Sequence, residues 1–215
     1  MKKSEVRRHK ERSSYDLNEL ITFLNKSHYV TVSFEQDDTI FSIPMLHAIY
    51  EEKIYLHAAV GSRFSKSLMN CNKVTLSSTE VSGIVLSKSL FNSSMNYTSA
   101  VIFGSTKRIT NEEVMNSAFE NMIDRFFEGR YADARKPTES EWKQTAVLEF
   151  TIDEFSMKKR TGPPIEAEED VDLPIWSGVV PIKSYFGKPE KDKTTSNNLD
   201  LPEYLDKFNA INPDR

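Results

Sequence analysis

The chain has 215 residues, 28% of them charged and 38% hydrophobic, and its formal net charge is −4. This length supports one domain with a core, and the charge balance gives no bulk indication of nucleic acid or an anionic membrane as a partner. No apolar run approaches the roughly 20 residues of a membrane span, and the basic N-terminus lacks the apolar segment of a secretory signal. The lone Cys71 excludes an internal disulfide and fits a reducing compartment. We therefore expect a cytoplasmic protein, with a nuclear location left open.

The N-terminal segment is basic and precedes the first predicted helix. Residues 1–14 contain six lysines and arginines together with His9. Such a run is typical of a solvated arm or of a nuclear-localisation patch, and both interpretations stay open. Asp16 then offers a helix cap, and an apolar face follows at helical spacing: Leu17, Leu20, Ile21 and Leu24.

From residue 29 the apolar period changes to two, which predicts β-strands joined by tight turns. The predicted strands are 29–34, 39–50, 53–59, 73–78, 83–89, 99–110 and 145–159, and Pro44 marks a bulge or an edge. The predicted helices are 62–70, 111–128, 139–144 and 202–210. Strand spacing is too short for repeated βαβ units. We predict a mainly β (α+β) fold, a six- to seven-stranded antiparallel β-barrel with flanking helices.

One turn combines groups that bind phosphate. The strand containing His57 is followed by Gly61 and Ser62, and Arg63 and Lys66 lie in the first turn of the next predicted helix. Backbone N–H groups at a helix start, a hydroxyl and two cations suit a phosphate group. The pattern is weak evidence alone, because a strand–turn–helix with basic residues is common.

Other chemistries receive little support from the sequence. His47 and His57 lie on adjacent predicted strands, but no third ligand has a fixed spacing to them, so we predict no metal site. A hydrogen-bonding role beside a ligand is favoured, and polar residues lining a barrel are the open alternative. Cys71 reads as a small core residue rather than a nucleophile. Nucleophile-elbow, Rossmann and P-loop glycine patterns are absent.

Seven motifs resemble the FMN-binding split-barrel family, which is pyridoxamine 5'-phosphate oxidase-like. The chain looks like the nitroimidazole-resistance-type branch and like fungal proteins described as pyridoxamine phosphate oxidases. The motifs are Glu11-Arg-Ser-Ser-Tyr-Asp16, His47-Ala-Ile-Tyr50, Ile54-Tyr-Leu-His-Ala-Ala-Val-Gly-Ser-Arg63, Phe91-Asn-Ser-Ser-Met-Asn-Tyr97, Val101-Ile-Phe-Gly104, Arg160-Thr-Gly-Pro-Pro164 and Pro174-Ile-Trp-Ser-Gly-Val-Val-Pro181. Residues from 183 onward are not covered by the resemblance.

The resemblance implies FMN as the cofactor and a homodimer with two FMN sites at the subunit interface. It implies phosphate contacts from Ser62, Arg63 and Lys66, and it places His57, the candidate catalytic residue, near the reactive edge of the flavin. The remaining side chains expected around the cofactor are His47, Tyr97, Ser99 and, from the partner chain, Trp176. FMN would supply the redox chemistry, and the protein would supply orientation and access.

The expected organisation is a basic arm over residues 1–14, an FMN-binding split-barrel domain over 15–182, and a linker with a C-terminal helix over 183–215. The expected function is that of an FMN-dependent oxidoreductase acting on a small or aromatic substrate, with no nucleic acid or membrane partner. The alternative is a non-catalytic flavin- or haem-binding module, which would show no turnover. A scaffold that has lost its cofactor is a third interpretation, disfavoured by the converging cations.

Two departures from the family pattern concern the substrate. The predicted second strand reads Ser42-Ile-Pro-Met-Leu-His-Ala48, without the Arg and Lys with which true pyridoxamine phosphate oxidases hold the FMN phosphate. Trp176 is followed by Ser177-Gly-Val-Val-Pro181, without the Arg and His that bind the substrate phosphate there. Because an unpaired phosphate dianion is costly in a partly apolar pocket, we expect turnover of pyridoxamine 5'-phosphate to be absent or very slow.

Overall fold

The computed structural model describes residues 2–196 and 198–209. Its strands are β1 (Ser13–Ser14), β2 (Val30–Gln36), β3 (Thr39–Met45), β4 (Ala48–Tyr50), β5 (Lys53–Ala59), β6 (Asn70–Leu86), β7 (Ser94–Ile109), β8 (Thr145–Arg160) and β9 (Gly178–Pro181). Its helices are α1 (Leu17–Lys26), α2 (Arg63–Leu68), α3 (Glu112–Asp124), α4 (Arg130–Asp133), α5 (Glu139–Gln144) and α6 (Glu203–Asn209). Short 3-10 turns occupy Lys10–Arg12, Leu90–Asn92 and Glu168–Asp170.

The strands form one antiparallel sheet in the order β3-β2-β6-β7-β8-β5-β4, with β1 paired to β8 and β9 paired to β6. The two ends of this path, β3 and β4, do not pair with each other, so the sheet curls without closing. The long hairpin of β6 and β7 and the long strand β8 form its centre. This arrangement is consistent with a split barrel.

The prediction of a mainly β, antiparallel fold is confirmed, but the predicted count of six to seven strands is too low. The predicted strands 73–78 and 83–89 are one strand, β6, which continues through a bulge between Val81 and Gly83. The predicted strand 39–50 is divided into β3 and β4. The short strands β1 and β9 were missed because two to four residues carry no readable alternation. Residue 210, the predicted end of the last helix, lies outside the described residues.

The interior of the curled sheet is filled by strand side chains together with one face of α1 and of α2. Asp16 caps α1, since its carboxylate accepts hydrogen bonds from the amides of Asn18 and Glu19 at 2.7 and 3.1 Å. The helix side chains in this core are Leu20, Phe23, Leu24, Phe64 and Leu68. Each buries enough apolar surface to contribute about 1.5–3 kcal/mol to folding.

A second, smaller core lies outside the sheet, beneath α3. Met115, Ala118 and Met122 of α3 pack there against Tyr55 and Val147. Successive side chains of a strand point to opposite faces. In β5, therefore, Ile54 and Leu56 enter the main core, whereas Tyr55 and His57 face the α3 side.

The N-terminal arm and the C-terminal segment both lie against the body. The arm pairs with β8 through β1. In the C-terminal segment, the rings of Phe186 and Phe208 pack against Phe127, with centroids 5.4 and 5.6 Å from it. Within the described residues, no helix is long and apolar enough to cross a membrane.

Candidate functional site

The turn between β5 and α2 forms as the sequence predicts. Ser62 is the N-cap of α2, and its Oγ accepts a hydrogen bond from the Ser65 amide at 3.1 Å. The Ser65 hydroxyl in turn donates to the Ala59 carbonyl at 2.8 Å. These bonds hold the start of α2 against the end of β5. The Ser62 hydroxyl therefore stabilises the turn by capping the helix.

Two cations project from this turn. Arg63 and Lys66 are exposed, and neither forms an ion pair with any residue in the described part of the chain. The Arg63 guanidinium lies 5.3 Å from the centroid of the Phe41 ring. A Cβ placed on Gly61 would meet nothing within 4 Å, so the space beside the turn is open. Unpaired positive charge beside open space and free helix-start amides can hold a phosphate.

His57 lies half-buried on the α3 side of β5. Its ring is 5.1 Å from that of Phe119, which packs edge-on against Trp142 at 4.9 Å. Nδ1 is enclosed and has no hydrogen-bond partner among the described residues. Burial lowers the pKa of His57, so the ring is neutral at neutral pH and can both donate and accept a hydrogen bond.

His47 is fully buried and is not brought to this turn. Nη1 of Arg125 lies 2.9 Å from His47 Nε2 and 3.0 Å from the Leu24 carbonyl oxygen. His47 Nε2 also lies 2.9 Å from the Leu24 carbonyl oxygen, so the imidazole and the guanidinium both contact that carbonyl. Burial, with the adjacent Arg125 charge, lowers the pKa of His47 to about 3. His47 therefore joins α1 to the end of α3.

The other predicted cofactor contacts lie at the opposite end of the sheet. His57 pairs with Val147 of β8, whereas Tyr97 pairs with Arg160, thirteen residues further along the same strand. At ~3.3 Å per residue this is about 40 Å of strand. Ser99 is two residues from Tyr97 on the same face. Within one chain, the structure therefore does not bring Tyr97 and Ser99 together with the α2 turn.

Trp176 lies near the Tyr97 end, on a segment that polar contacts attach to the hairpin. Its side chain is 66% exposed and lies against Gly178, where an added Cβ would come within 3.0 Å of the indole. Gly178 pairs with Leu86. A side chain at position 178 would crowd the Trp176 indole, which explains the Gly in the Trp-Ser-Gly motif.

Arg160 fixes the start of this segment. It is 6% exposed, and its guanidinium donates to the Asn96 side-chain oxygen and to the carbonyls of Gly162 and Pro163. Sequence reasoning missed this role, as it missed Arg125 and Phe119, because each acts through contacts distant in sequence. The Arg160-Thr-Gly-Pro-Pro motif was the available signal for Arg160; Arg125 had none.

The two large grooves on the surface of the described residues do not gather the predicted site. They have volumes of about 770 and 790 Å³. The first lies between the N-terminal arm and β8, and the second lies between α3, α4 and the C-terminal segment. Neither is lined by a predicted site residue. Among residues 2–196 and 198–209, no group of three His, Cys, Asp or Glu side chains is arranged to hold a metal ion.

The residues present fit a flavin in two respects. The open, cationic α2 turn suits the phosphate, and His57 offers an unengaged neutral imidazole at the same end of the sheet. The exposed Trp176 could cover a flavin ring, but it lies at the opposite end of the sheet. A complete site thus requires groups that one copy holds far apart.

Three solved structures are similar to the chain over 72% or more of its length. The flavocytochrome Anf3 from Azotobacter vinelandii is 27% identical, with a TM-score of 0.90 and 97% coverage of both chains. An FAD and heme binding protein from Mycobacterium smegmatis is 26% identical, with a TM-score of 0.83, covering 92% of this chain and 97% of its own. A candidate 5-nitroimidazole antibiotic resistance protein from Bacteroides thetaiotaomicron is 16% identical, with a TM-score of 0.54 over 72% of this chain and 95% of its own, and shares the fold.

The family comparison is consistent with these structures. No protein with a curated description matches the chain. The family model described as pyridoxamine 5'-phosphate oxidase matches residues 16–159, which run from the cap of α1 almost to the end of β8. That span is two thirds of the chain and contains the α2 turn and His57. The chain therefore belongs to the pyridoxamine 5'-phosphate oxidase family.

Proposed function

We propose that the protein is a flavoprotein that holds the phosphate of its flavin at the α2 turn. The observation that carries this proposal is the pair of unpaired cations, Arg63 and Lys66, beside the open space at Gly61. The flavin in the two neighbours that match over the whole chain supports it. A bound flavin supplies two-electron redox chemistry, and we propose oxidoreductase activity on a small or aromatic substrate.

The chain's own residues would divide the work. Arg63 and Lys66 would bind the phosphate by charge-assisted hydrogen bonds, and Ser62 would keep the turn in place through its cap. His57, the proposed catalytic residue, is neutral and has one nitrogen that is not enclosed. At that nitrogen it can hold or release a proton beside the reacting edge of the ring. His47 has no part in the site, because it is fully buried and bound by Arg125.

We further propose a homodimer in which each flavin lies between two copies. Tyr97, Ser99 and Trp176 would come from the partner, because within one chain about 40 Å of strand separates Tyr97 from the level of His57. The exposed indole of Trp176 would cover the ring and exclude water. Such a site is complete only in the dimer.

The experiment removes both cations. Arg63→Ala/Lys66→Ala should weaken flavin binding more than a hundredfold, because each charge-assisted hydrogen bond is worth roughly 1.5–3 kcal/mol and about 1.4 kcal/mol is tenfold. Lys188→Ala/Lys193→Ala removes the same charge from the exposed C-terminal segment and should leave the titration unchanged. Equal affinity of the α2 variant and the wild type would reject the site.

The identity of the flavin is decided by releasing it from the denatured protein and separating it by chromatography. The sequence predicts FMN, because no adenylate-binding motif is present. FAD, found in the mycobacterial neighbour, would place an adenylate beyond the α2 phosphate site. Either result keeps the phosphate at Arg63 and Lys66; riboflavin as the preferred ligand would contradict it.

Haem is the second candidate cofactor, favoured by the free imidazole of His57. His57 would be the residue that binds the haem iron, because His47 is fully buried. The absorption spectrum of the purified protein separates the candidates, since haem adds a Soret band to the flavin bands. If haem binds, His57→Gln should change the spectrum of the iron.

A further inference from the structure

Trp176 lies in the segment that joins β8 to β9, residues 161–177, and its indole is exposed yet held in place. The side chain is 66% exposed and stacks on no other aromatic ring among the described residues. Both ends of the segment are fixed, because Arg160 holds the first carbonyls and Gly178 pairs with Leu86 of β6. An exposed aromatic side chain on a fixed segment is suited to contact with another molecule.

One carboxylate, that of Glu166, ties the middle of this segment to the end of β6. It accepts hydrogen bonds from the Ser87 hydroxyl and from the Lys88 amide, whose nitrogen lies 3.2 Å from both carboxylate oxygens. The Ser177 side chain is a further hydrogen-bond partner of the same carboxylate. Because Ser177 is the neighbour of Trp176, Glu166 connects the residue beside the indole to the central strand β6.

The groups that Glu166 contacts are themselves fixed. The Ser87 amide donates to the Ser93 hydroxyl oxygen at 3.2 Å across the turn of the β6–β7 hairpin. The Lys88 ammonium extends along the segment and donates to the Val171 carbonyl. The hydrogen bond from the Ser87 hydroxyl, followed by the others, lowers the pKa of Glu166. The carboxylate is therefore ionised at neutral pH, and its hydrogen bonds are charge-assisted.

The carboxylates that follow in the segment do not share these contacts. Glu168 is exposed, and within the described chain its side chain forms no hydrogen bond or ion pair. The connection between β6 and the residue beside Trp176 therefore depends on Glu166 itself and not on the acidic character of the segment. Glu168 offers a matched control for any change at Glu166.

We propose that Glu166 is a positioning residue, which holds the Trp176 indole in the pose that covers the flavin ring of the other copy. The inference rests on the proposed function, in which Trp176 completes the site of the partner. The contacts of Glu166 order the segment before the flavin binds, so the indole loses less conformational entropy when it meets the ring. A positioning residue acts only through the indole, whereas the effect of a purely structural contact would not depend on Trp176.

The test titrates the flavin that the protein releases, FMN or FAD, into full-length variants and follows the fluorescence of the bound flavin, which a stacked indole quenches. Trp176→Leu should raise that fluorescence and weaken binding by between about twofold and about tenfold, the contribution of one stacked aromatic pair. Glu166→Ala should change both readouts in the same direction, because the indole is no longer held over the ring. Glu168→Ala removes the same charge from the same segment and should change neither readout.

A double variant separates positioning from an independent structural effect. Glu166→Ala/Trp176→Leu should equal Trp176→Leu in both readouts, since a residue that acts through the indole has no effect once the indole is absent. Additive losses, or a Glu166→Ala protein that matches the wild type, would overturn the inference and leave the flavin proposal standing. Ser177→Ala removes one of the hydrogen bonds and should shift both readouts in the direction of Glu166→Ala, which keeps the test decisive if Glu166→Ala does not fold.

Failure of the proposed function gives different results. Wild-type readouts from Trp176→Leu would overturn both the inference and the cover proposed for Trp176, while the phosphate site at Arg63 and Lys66 keeps its own test. A wild type that binds neither FMN nor FAD would overturn the proposed function and this inference with it.

Discussion

At the scale of single residues, Glu149 is a buried carboxylate that joins three strands. It is 4% exposed and accepts hydrogen bonds from Lys107 of β7 at 2.9 Å, Lys53 of β5 at 3.1 Å and the Tyr55 hydroxyl at 3.2 Å. Burial alone would raise the pKa of Glu149, but the hydrogen bonds from the two lysines outweigh it, and the pKa lies below its ordinary value. The carboxylate is therefore ionised at neutral pH and fastens the sheet beneath α3.

We expect Glu149→Gln to lower the free energy of unfolding by about 1–3 kcal/mol, because the charge-assisted bonds are lost while the lysines can still reach water. Urea unfolding measures the change. Glu139→Gln is the matched control: its ion pair with Lys143 is exposed on both sides, and its loss should cost less than about 0.5 kcal/mol. Equal effects of the two substitutions would contradict the role of Glu149.

His47 should make stability depend on pH. Its pKa is about 3 in the folded protein and near 6.5 when unfolded, so below pH 6.5 the unfolded chain binds the extra proton. The associated stability is complete above that value and is lost as the pH falls toward 3, by up to about 1.4 kcal/mol per unit. Unfolding free energies at pH 6, 5 and 4 should therefore fall less steeply in His47→Gln than in the wild type.

Turnover of pyridoxamine 5'-phosphate should be absent or slow. The substrate brings its own phosphate, and Arg160, the last cation before the Trp176 motif in sequence, is committed to Asn96 and to the loop carbonyls. The measurement is the formation of pyridoxal phosphate and peroxide by the flavin-loaded protein. An efficiency of about 10⁴ M⁻¹s⁻¹ or more, ordinary for an enzyme, would show that another cation serves the substrate.

At the scale of elements, α2 was predictable because its signals are local. Ser62 is a good cap, and the apolar spacing of Phe64 and Leu68 directs one face of the helix into the core. A few consecutive residues are therefore enough to predict α2. The segment that carries Trp176 was not predictable in the same way. Its position depends on Arg160 meeting Asn96 and on Glu166 meeting Ser87, 79 residues away in sequence. Periodicity contains no information about such contacts.

The two roles assigned to the α2 turn can be separated by one substitution. Ser62→Asp keeps a side-chain oxygen that caps the helix, so α2 and the thermal stability should be retained. The same carboxylate would lie beside the phosphate of a bound flavin, so flavin affinity should fall by at least about tenfold through like-charge repulsion.

Ser62→Asn is the matched control, because it caps equally well without charge. It should bind flavin with nearly the wild-type affinity. Weakened binding by both variants would mean that the Ser62 hydroxyl itself contacts the phosphate, as the sequence suggested.

At the scale of the whole molecule, the sequence predicted the fold class and the strand–turn–helix at Ser62 but could not show that the residues of the predicted site lie at two ends of the sheet. His57 and Tyr97 are 40 residues apart in sequence. An alternating pattern predicts that both lie on strands, but it does not predict how those strands are aligned in the sheet. The long register of β7 with β8 separates them. The family resemblance implied a homodimer, and the exposure of Trp176, Val180 and their neighbours is the structural support for proposing it.

The homodimer should be visible as twice the chain mass of 24.7 kDa by light scattering at micromolar concentration. Ile84→Glu places a charge between the exposed apolar side chains of Met95 and Val180 and should shift the protein to monomer, because an unpaired charge is costly in an apolar contact. Ile40→Glu is the control, since that side chain is equally apolar and 76% exposed but lies on β3, which does not pair with the strands of Ile84, Met95 or Val180. A monomeric wild type with flavin bound would reject the shared site.

The main path of the sheet ends at two edge strands, β3 and β4, and an unprotected edge strand can pair with a strand of another molecule. The edge strand β4 is three residues long and lies beneath α3. The edge strand β3 contains Pro44, which has no N–H to donate to an incoming strand. The sequence predicted an edge or a bulge at this residue. The long central strands can therefore be extensive and apolar without making the protein a template for fibrils. Pro44→Thr, which would complete the donor row, is the single change that puts this safeguard at risk.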